Sequence, residues 1–259
     1  MGKALVTGAA RRLGRAMALY LAGRGHDVAV HYAGSAEAAE EVAAEIRALG
    51  RSACTLRADL LDEEQTQALV PRAEAALGGR LTVLVNNASI FEYDNLTTAT
   101  RNSWDRHMEA NLRAPFVLTQ RFAAQVPPPL TDAQGEPLAQ GLIVNLIDQR
   151  VRKPTPEFMT YTLAKMGLWA LTRTAAQGLA PAVRVNAIGP GPTLQGARQS
   201  AAHFAAQRAA TVLRRGADPQ GICAALGYFL EAPAVTGQLI CVDGGQHLAW
   251  QTPDVLGVE

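Results

Sequence analysis

Lys3-Ala4-Leu5-Val6-Thr7-Gly8-Ala9-Ala10-Arg11-Arg12-Leu13-Gly14 is the stretch that decides the fold. Residues 3–7 read as a short strand, and from Leu13 to position 24 apolar residues recur at helical spacing. The turn between them holds Gly8 and Gly14. A strand that breaks into a glycine-bearing turn and then a helix points backbone N–H groups and the positive end of a helix dipole at one spot. That spot suits a diphosphate. Arg11 and Arg12 stand where cations are disfavoured by the same dipole, which argues for an anionic ligand beside them.

Outward from this turn the alternation continues. Strands are predicted over 27–32, 52–58, 81–85, 142–147, 183–188 and 239–242. Helices are predicted over 36–49, 62–77, 102–125, 158–179, 201–213 and 219–230. Pro115 should interrupt the hydrogen-bond ladder of the 102–125 helix and bend it. The Pro-rich segment 126–140 has a strand-helix alternation on both sides, so it reads as a surface insertion rather than a domain boundary. Seven strands alternating with helices predict an α/β, Rossmann-like, doubly wound parallel sheet, here one domain over 1–259.

Composition narrows the function classes. Lys plus Arg number 24 and Asp plus Glu 23, a net charge of +1, so nothing in the charge balance points to nucleic acid. Cys54, Cys223 and Cys241 are widely spaced without a paired motif, which disfavours a disulfide framework or zinc site and favours a reduced, cytoplasmic setting. The chain runs from Met1 straight into strand residues without a charged leader, and no apolar stretch reaches membrane-spanning length. A soluble enzyme with a small-molecule substrate is expected, with no metal and no membrane partner.

Two positions carry the chemistry. Tyr161 and Lys165 are four apart on one predicted helix and share a face, so the ammonium should sit near the phenol and lower its pKa from about 10. Asp148 lies thirteen positions before Tyr161. The second strand ends His31, Tyr32, Ala33, Gly34, Ser35. NAD-specific folds place a carboxylate there for the ribose 2′-hydroxyl, and its absence leaves room for the extra phosphate of NADP.

Together these features resemble the short-chain dehydrogenase/reductase family, whose pattern is Ser, twelve residues, Tyr, three residues, Lys, and whose usual turn is Thr-Gly, three residues, Gly, one residue, Gly. This chain has Asp148 at the Ser position and Arg12 at the middle glycine. The Asp exchange is shared by the pteridine reductases and dihydromonapterin reductases, and the pteridine reductases look the same at Arg12. The resemblance implies Asp148, Tyr161, Lys165 and Asn111 as catalytic, with Asn111 holding a water near Lys165. It implies NADPH as cofactor. Gly8, Arg11, Arg12, Leu13 and Gly14 would cradle the diphosphate, while His31, Tyr32 and Ser35 would stand near the 2′-phosphate together with Arg12. Asp59 and Leu60 would meet the adenine, with Asn87, Ala88, Ser89, Pro190 and Gly191 along the nicotinamide side.

For the substrate it implies Arg12, Ser89, Phe91, Asp148, Tyr161 and Leu194, with Phe91 stacking a flat pterin and 192–199 forming a lid. The Val242-Asp243-Gly244-Gly245 turn matches a structural motif. The resemblance implies a homotetramer through the helices holding Asn111 and Tyr161. The expected reaction is hydride transfer to a ring C=N bond of dihydromonapterin, dihydrobiopterin or dihydrofolate type, with Tyr161 as proton donor. A 3-oxoacyl-type carbonyl reductase is the alternative within the class, and a non-catalytic NADP-binding regulator or scaffold is the alternative outside it.

Overall fold

Along each central strand alternate side chains face opposite layers of helix, and this alternation organises the molecule. The computed structural model describes residues 2–196 and 199–252. Strands β1 (Lys3–Val6), β2 (Asp27–Tyr32), β3 (Ala53–Arg57), β4 (Val83–Asn86), β7 (Gly141–Leu146), β8 (Val183–Pro190) and β9 (Leu239–Val242) form one parallel sheet in the order 3-2-1-4-7-8-9. The expected seven-stranded Rossmann-like sheet is the one found. Val6, Val30, Val85 and Val144 face the layer of α1 (Arg12–Gly23), α2 (Ala36–Ala48) and α8 (Pro219–Glu231). Their neighbours Leu5, Ala29, Leu84 and Ile143 face α3 (Glu63–Leu77) and α5 (Ala114–Gln125). Phe229 and Phe122 are fully buried, one in each layer. Truncating either to Ala should cost about 3–5 kcal/mol.

Several boundaries moved. Instead of one bent helix over 102–125 there are three pieces: α4 (Arg101–Met108), a π turn over Glu109–Arg113, and α5 with Pro115 in its first turn. Pro115 has no N–H for the ladder, and the Ala114 N–H bonds Glu109 O, five residues back. Asn111 lies inside this turn and is fully buried. The predicted 201–213 helix stops early as α7 (Ala201–Ala209), where the Thr211 hydroxyl bonds the backbone of Arg208 and Arg215 and turns the chain. Within 126–140 the chain forms a small antiparallel hairpin of β5 (Leu130–Thr131) and β6 (Pro137–Leu138). Helix α6 (Met159–Gly178) carries Tyr161 and Lys165. Among the described residues no helix is long and apolar enough to cross a membrane.

Chain order reverses between β1 and β4, so the connections after these strands leave in opposite directions and open a crevice at their carboxyl ends. The turns after β1, β3, β4, β7 and β8 all meet there.

Candidate active site

The crevice is a cleft of about 1680 Å³. At one end lies the turn after β1. Gly8 has φ +62, and a Cβ on Gly14 would come within 2.2 Å of the Gly8 carbonyl oxygen, so both glycines are required for the turn to close. Arg11, the residue preceding α1, is extended and offers no side-chain cap, which leaves the first-turn N–H groups for a ligand. Thr7 Oγ1 accepts from the backbone N–H of Asn87 (2.9 Å) and Ala88 (3.0 Å), and Asn87 Nδ2 donates back to Thr7 O at 2.8 Å. These bonds lock the turns after β1 and β4 together. Gly8, Arg11, Arg12, Leu13 and Gly14 line the cleft from the first turn, and Asn87, Ala88 and Ser89 line it from the second. Asp59 and Leu60 line it after β3, and Pro190, Gly191 and Leu194 after β8.

His31 lines the cleft and also braces its turn. Its ring is 1% exposed, Nδ1 accepts from the Gly8 N–H at 3.0 Å, and Nε2 lies 3.1 Å from Ala58 O. Burial pushes its pKa down to about 4, so the ring is neutral at physiological pH and both nitrogens are occupied. It braces the turn and has no free donor for a phosphate. Tyr32 and Ser35, at the end of β2 and the start of α2, do not line the cleft, whereas Ala33 does.

Arg12 lines the cleft as well. It adopts φ +55, a left-handed conformation that costs a side-chain-bearing residue about 1–2 kcal/mol. From there its guanidinium donates to Gln195 O at 2.8 Å and Leu194 O at 3.0 Å. The turn after β1 is thereby tied to the first part of the expected lid. Ala197 and Arg198 of that lid lie outside the described residues.

At the other end of the cleft, Asp148 follows β7 and lines the wall. Its Oδ1 accepts from the Arg150 N–H at 2.8 Å and its Oδ2 from the Tyr161 hydroxyl at 2.9 Å. Burial raises the Asp148 pKa, opposed by the Arg150 N–H and guanidinium. Tyr161, 5% exposed, is not among the lining residues. Its pKa is pushed well above the usual phenol value, by burial first and then by the adjacent carboxylate. The net shift is thus upward, opposite in direction to the lowering expected from Lys165. Lys165 Nζ donates to Leu146 O at 2.8 Å and stands 5.7 Å from the Tyr161 ring centre, and burial brings its own pKa down to about 8. Asn111 turns its amide to Ile90, accepting from its N–H at 2.9 Å and donating to its carbonyl at 2.8 Å. The side chain therefore holds the 89–91 segment in place.

An aromatic wall completes the site. Phe91 stacks on Phe158 with centroids 4.3 Å apart and meets the Tyr161 ring edge-on at 4.7 Å, while the Arg150 guanidinium lies 5.1 Å from the Phe158 ring centre. Phe158 and Arg150 were missed in the sequence, since neither sits in a motif. The one cue was a Phe immediately before the helix of Tyr161. Asp94, 2% exposed, was missed as well. Its carbonyl accepts the N–H of Phe158 at 2.7 Å and its carboxylate accepts the N–H of Thr160 at 3.1 Å and the Thr160 hydroxyl. His107 Nδ1 then lies 2.6 Å from that hydroxyl. Asp94 caps the helix of Tyr161 from a distant loop, which no local signal announces.

Residues 8–247 match the family model described as enoyl-(acyl carrier protein) reductase. The chain is 32% identical over 252 residues to the 3-oxoacyl-[acyl-carrier-protein] reductase FabG of Staphylococcus aureus, covering 95% of this chain and 98% of that one. It belongs to the short-chain dehydrogenase/reductase family. Among solved structures, this short-chain reductase is similar to FolM alternative dihydrofolate reductase 1 from Brucella suis in complex with NADP, at 41% identity, 98% coverage of both chains and a TM-score of 0.91. The Brucella canis protein of the same name, also complexed with NADP, gives 40% identity, coverage of 99% of this chain and 98% of that one, and a TM-score of 0.89. Both Brucella proteins are thus complexed with NADP, and this chain is an oxidoreductase of the same family. Its structure suits that cofactor: the closed glycine turn, the uncapped start of α1 and the Asn87 brace form the diphosphate end.

Proposed function

We propose that the protein is an NADPH-dependent reductase of a pterin or dihydropterin, of dihydromonapterin, dihydrobiopterin or dihydrofolate type. The observation that carries this is Asp148, the member of the proposed catalytic group that lines the cleft, bonded to Tyr161, whose ring the exposed Phe91 meets edge-on. A flat heterocycle gains most from a stacking face. Hydride addition to a ring C=N leaves electron density on nitrogen, which a carboxylic acid of raised pKa serves as proton source. The similarity to two FolM alternative dihydrofolate reductases supports the same substrate class.

Bound against the turns after β1 and β4, a reduced nicotinamide would supply the hydride. Asp148 hands its proton to the ring nitrogen while Tyr161 passes its own proton along the hydrogen bond to Asp148, so Tyr161 is the net donor. The Lys165 ammonium offsets the charge left on the phenol, and solvent in the cleft restores the proton. A second function, reduction of 3-oxoacyl thioesters, is favoured by the FabG similarity. It lacks the Ser that would give a carbonyl oxygen its second hydrogen bond, since Asp148 stands there. A regulator without catalysis would have no use for the Tyr161–Lys165 pair. Steady-state NADPH oxidation with a panel of pterins, dihydropterins and 3-oxoacyl thioesters decides among the three: turnover confined to the pterins is expected, and turnover confined to the thioesters would contradict the proposal.

The chain is further proposed to act as a single cytoplasmic domain and to form a homotetramer. Trp104, Phe116 and Leu163, on α4, α5 and α6, keep 43%, 38% and 39% of their surface exposed, which supports assembly through these helices. Analytical ultracentrifugation tests it.

A further inference from the structure

Arg150 sits in the single-turn 3-10 helix Gln149–Val151 that follows Asp148, and it lines the cleft half-buried. Its guanidinium is held on two sides: it lies over the Phe158 ring, 5.1 Å from the centre, and Nη1 donates to Thr155 Oγ1 at 2.5 Å. The remaining edge, Nε and Nη2, meets no acceptor among the described residues, and neither nitrogen is sealed from solvent. No carboxylate of the described residues lies within ion-pair distance of the group. The other cleft-lining arginines are placed differently: Arg106 pairs with Glu92 at 2.8 Å, Arg12 donates to the lid carbonyls, and Arg11 stands at the diphosphate end. Glu157, on the same wall as Arg150, engages the Tyr93 hydroxyl. Among the described residues, the substrate end of the cleft thus carries an oriented cation whose outer edge no protein group uses.

We propose that Arg150 is a specificity-determining residue, its Nε–Nη2 edge taking a carboxylate or phosphate carried on the side chain of the heterocycle reduced at Asp148. This deepens the pterin assignment and rests on it. A guanidinium edge presents two parallel N–H groups that match two oxygens of a carboxylate or phosphate, and such charge-assisted pairs are strong and geometrically selective. A fork already fixed by an aromatic face and a hydroxyl loses little freedom when the anion arrives. The phosphates of the cofactor belong elsewhere, at the uncapped start of α1. Arg150 is tied to the reacting end instead, since its N–H holds Asp148 Oδ1 at 2.8 Å, and the Phe158 ring beneath its guanidinium stacks on Phe91 at 4.3 Å. A ring entering beside Phe91 and Asp148 therefore brings its side chain past the fork. Of the substrate types proposed above, the folate type carries carboxylates, and the hydroxyalkyl types carry an anion only as phosphate esters.

The test uses the full chain and two matched pairs of substrates, dihydrofolate with its diamide and dihydromonapterin with its phosphate ester, so that within each pair the anion is the difference. In wild type the KM for the charged member of at least one pair should lie about tenfold below that of its neutral partner, and the pair showing the larger ratio names carboxylate or phosphate as the group read. In Arg150→Gln that ratio should collapse to within about threefold of unity, and in Arg150→Lys, which keeps the charge without the fork, it should fall between the two. NADPH affinity should be the same in all three proteins. A ratio preserved in an active Arg150→Gln overturns the proposal alone. So does a parallel loss of NADPH affinity, which assigns the fork to the cofactor. Should neither variant fold, wild type suffices: equal KM values within both pairs overturn the proposal and leave the pterin assignment standing. Wild type inactive on every pterin overturns both this proposal and the substrate class beneath it.

Discussion

The turn after β1 and the Asp148–Tyr161 centre face one another across the cleft and are built on opposite plans. In the turn, side chains serve the backbone: His31 holds the Gly8 N–H, Asn87 holds Thr7 O, and both are satisfied within the protein. What remains for a ligand is main-chain N–H groups and the dipole of α1. At the centre, backbone serves side chains: Arg150 N–H positions Asp148, Leu146 O holds Lys165, and Asp94 caps the helix of Tyr161. What remains there is titratable groups whose pKa values burial has displaced. Substitutions should therefore act differently at the two ends, through cofactor binding and stability at the first and through turnover at the second.

The largest effect is expected at the centre. Tyr161→Phe should lower kcat about 10²–10⁴-fold while leaving fold and NADPH affinity intact, because the hydroxyl alone is removed. Lys165→Met should depress both. Measuring kcat and the NADPH dissociation constant for each variant separates the two; a Tyr161→Phe enzyme near wild-type turnover would show the proton coming from elsewhere. Next in size, Asp148→Ser should cut dihydropterin reduction by more than tenfold, about 1.4 kcal/mol of transition-state stabilisation, with NADPH binding unaltered.

At the turn the effects should be smaller and thermodynamic. His31→Ala leaves the Gly8 N–H without its partner and should cost about 1–3 kcal/mol of stability, together with NADPH affinity. The sign of the pH dependence follows from a native pKa of about 4 against an ordinary 6.5. As pH falls, the unfolded chain takes up the proton first, so this contribution is complete above about pH 6.5 and is lost towards pH 4. Thermal melts of wild type and His31→Ala across that window should converge at the acid end; a constant gap would contradict the assignment. Smallest of all, Arg12→Gly should relieve the left-handed backbone and yet release the lid carbonyls at Leu194 and Gln195. Melting temperature should change by no more than a few degrees while the KM for NADPH rises.

The sequence made the first region legible through glycines, because Gly8 and Gly14 are dictated by backbone geometry that few other residues tolerate. It did not reveal that His31 braces the turn, since a residue at a strand end can face the ligand or the chain, and the brace depends on Gly8 and Ala58, which lie far from it in sequence. The catalytic group was legible through spacing: i, i+4 on a helix places Tyr161 and Lys165 on one face whatever the tertiary context. The direction of the Tyr161 pKa was not, because burial and the Asp148 carboxylate outweigh an ammonium that is engaged with Leu146. Pro115 announced a break in its helix but not the π turn that buries Asn111. Phe158 and Asp94 were invisible because their importance comes from contacts across loops, with no local pattern to mark them.

The difference between the two regions comes down to Asp148, the cleft-lining side chain of the proposed catalytic group, whose identity is proposed to separate a nitrogen heterocycle from a ketone as substrate. The measurement that tests this is the ratio of kcat/KM for a dihydropterin to kcat/KM for a small activated ketone, in wild type and Asp148→Ser, at several pH values. An ionised Asp beside a developing alkoxide is repulsive, whereas a protonated one serves a ring nitrogen. The ratio should fall by more than tenfold in the variant, through lost pterin reduction with ketone reduction unchanged or improved. An unchanged ratio would make Asp148 a loop carboxylate without a part in substrate choice, and would contradict the assignment of this enzyme to pterin chemistry.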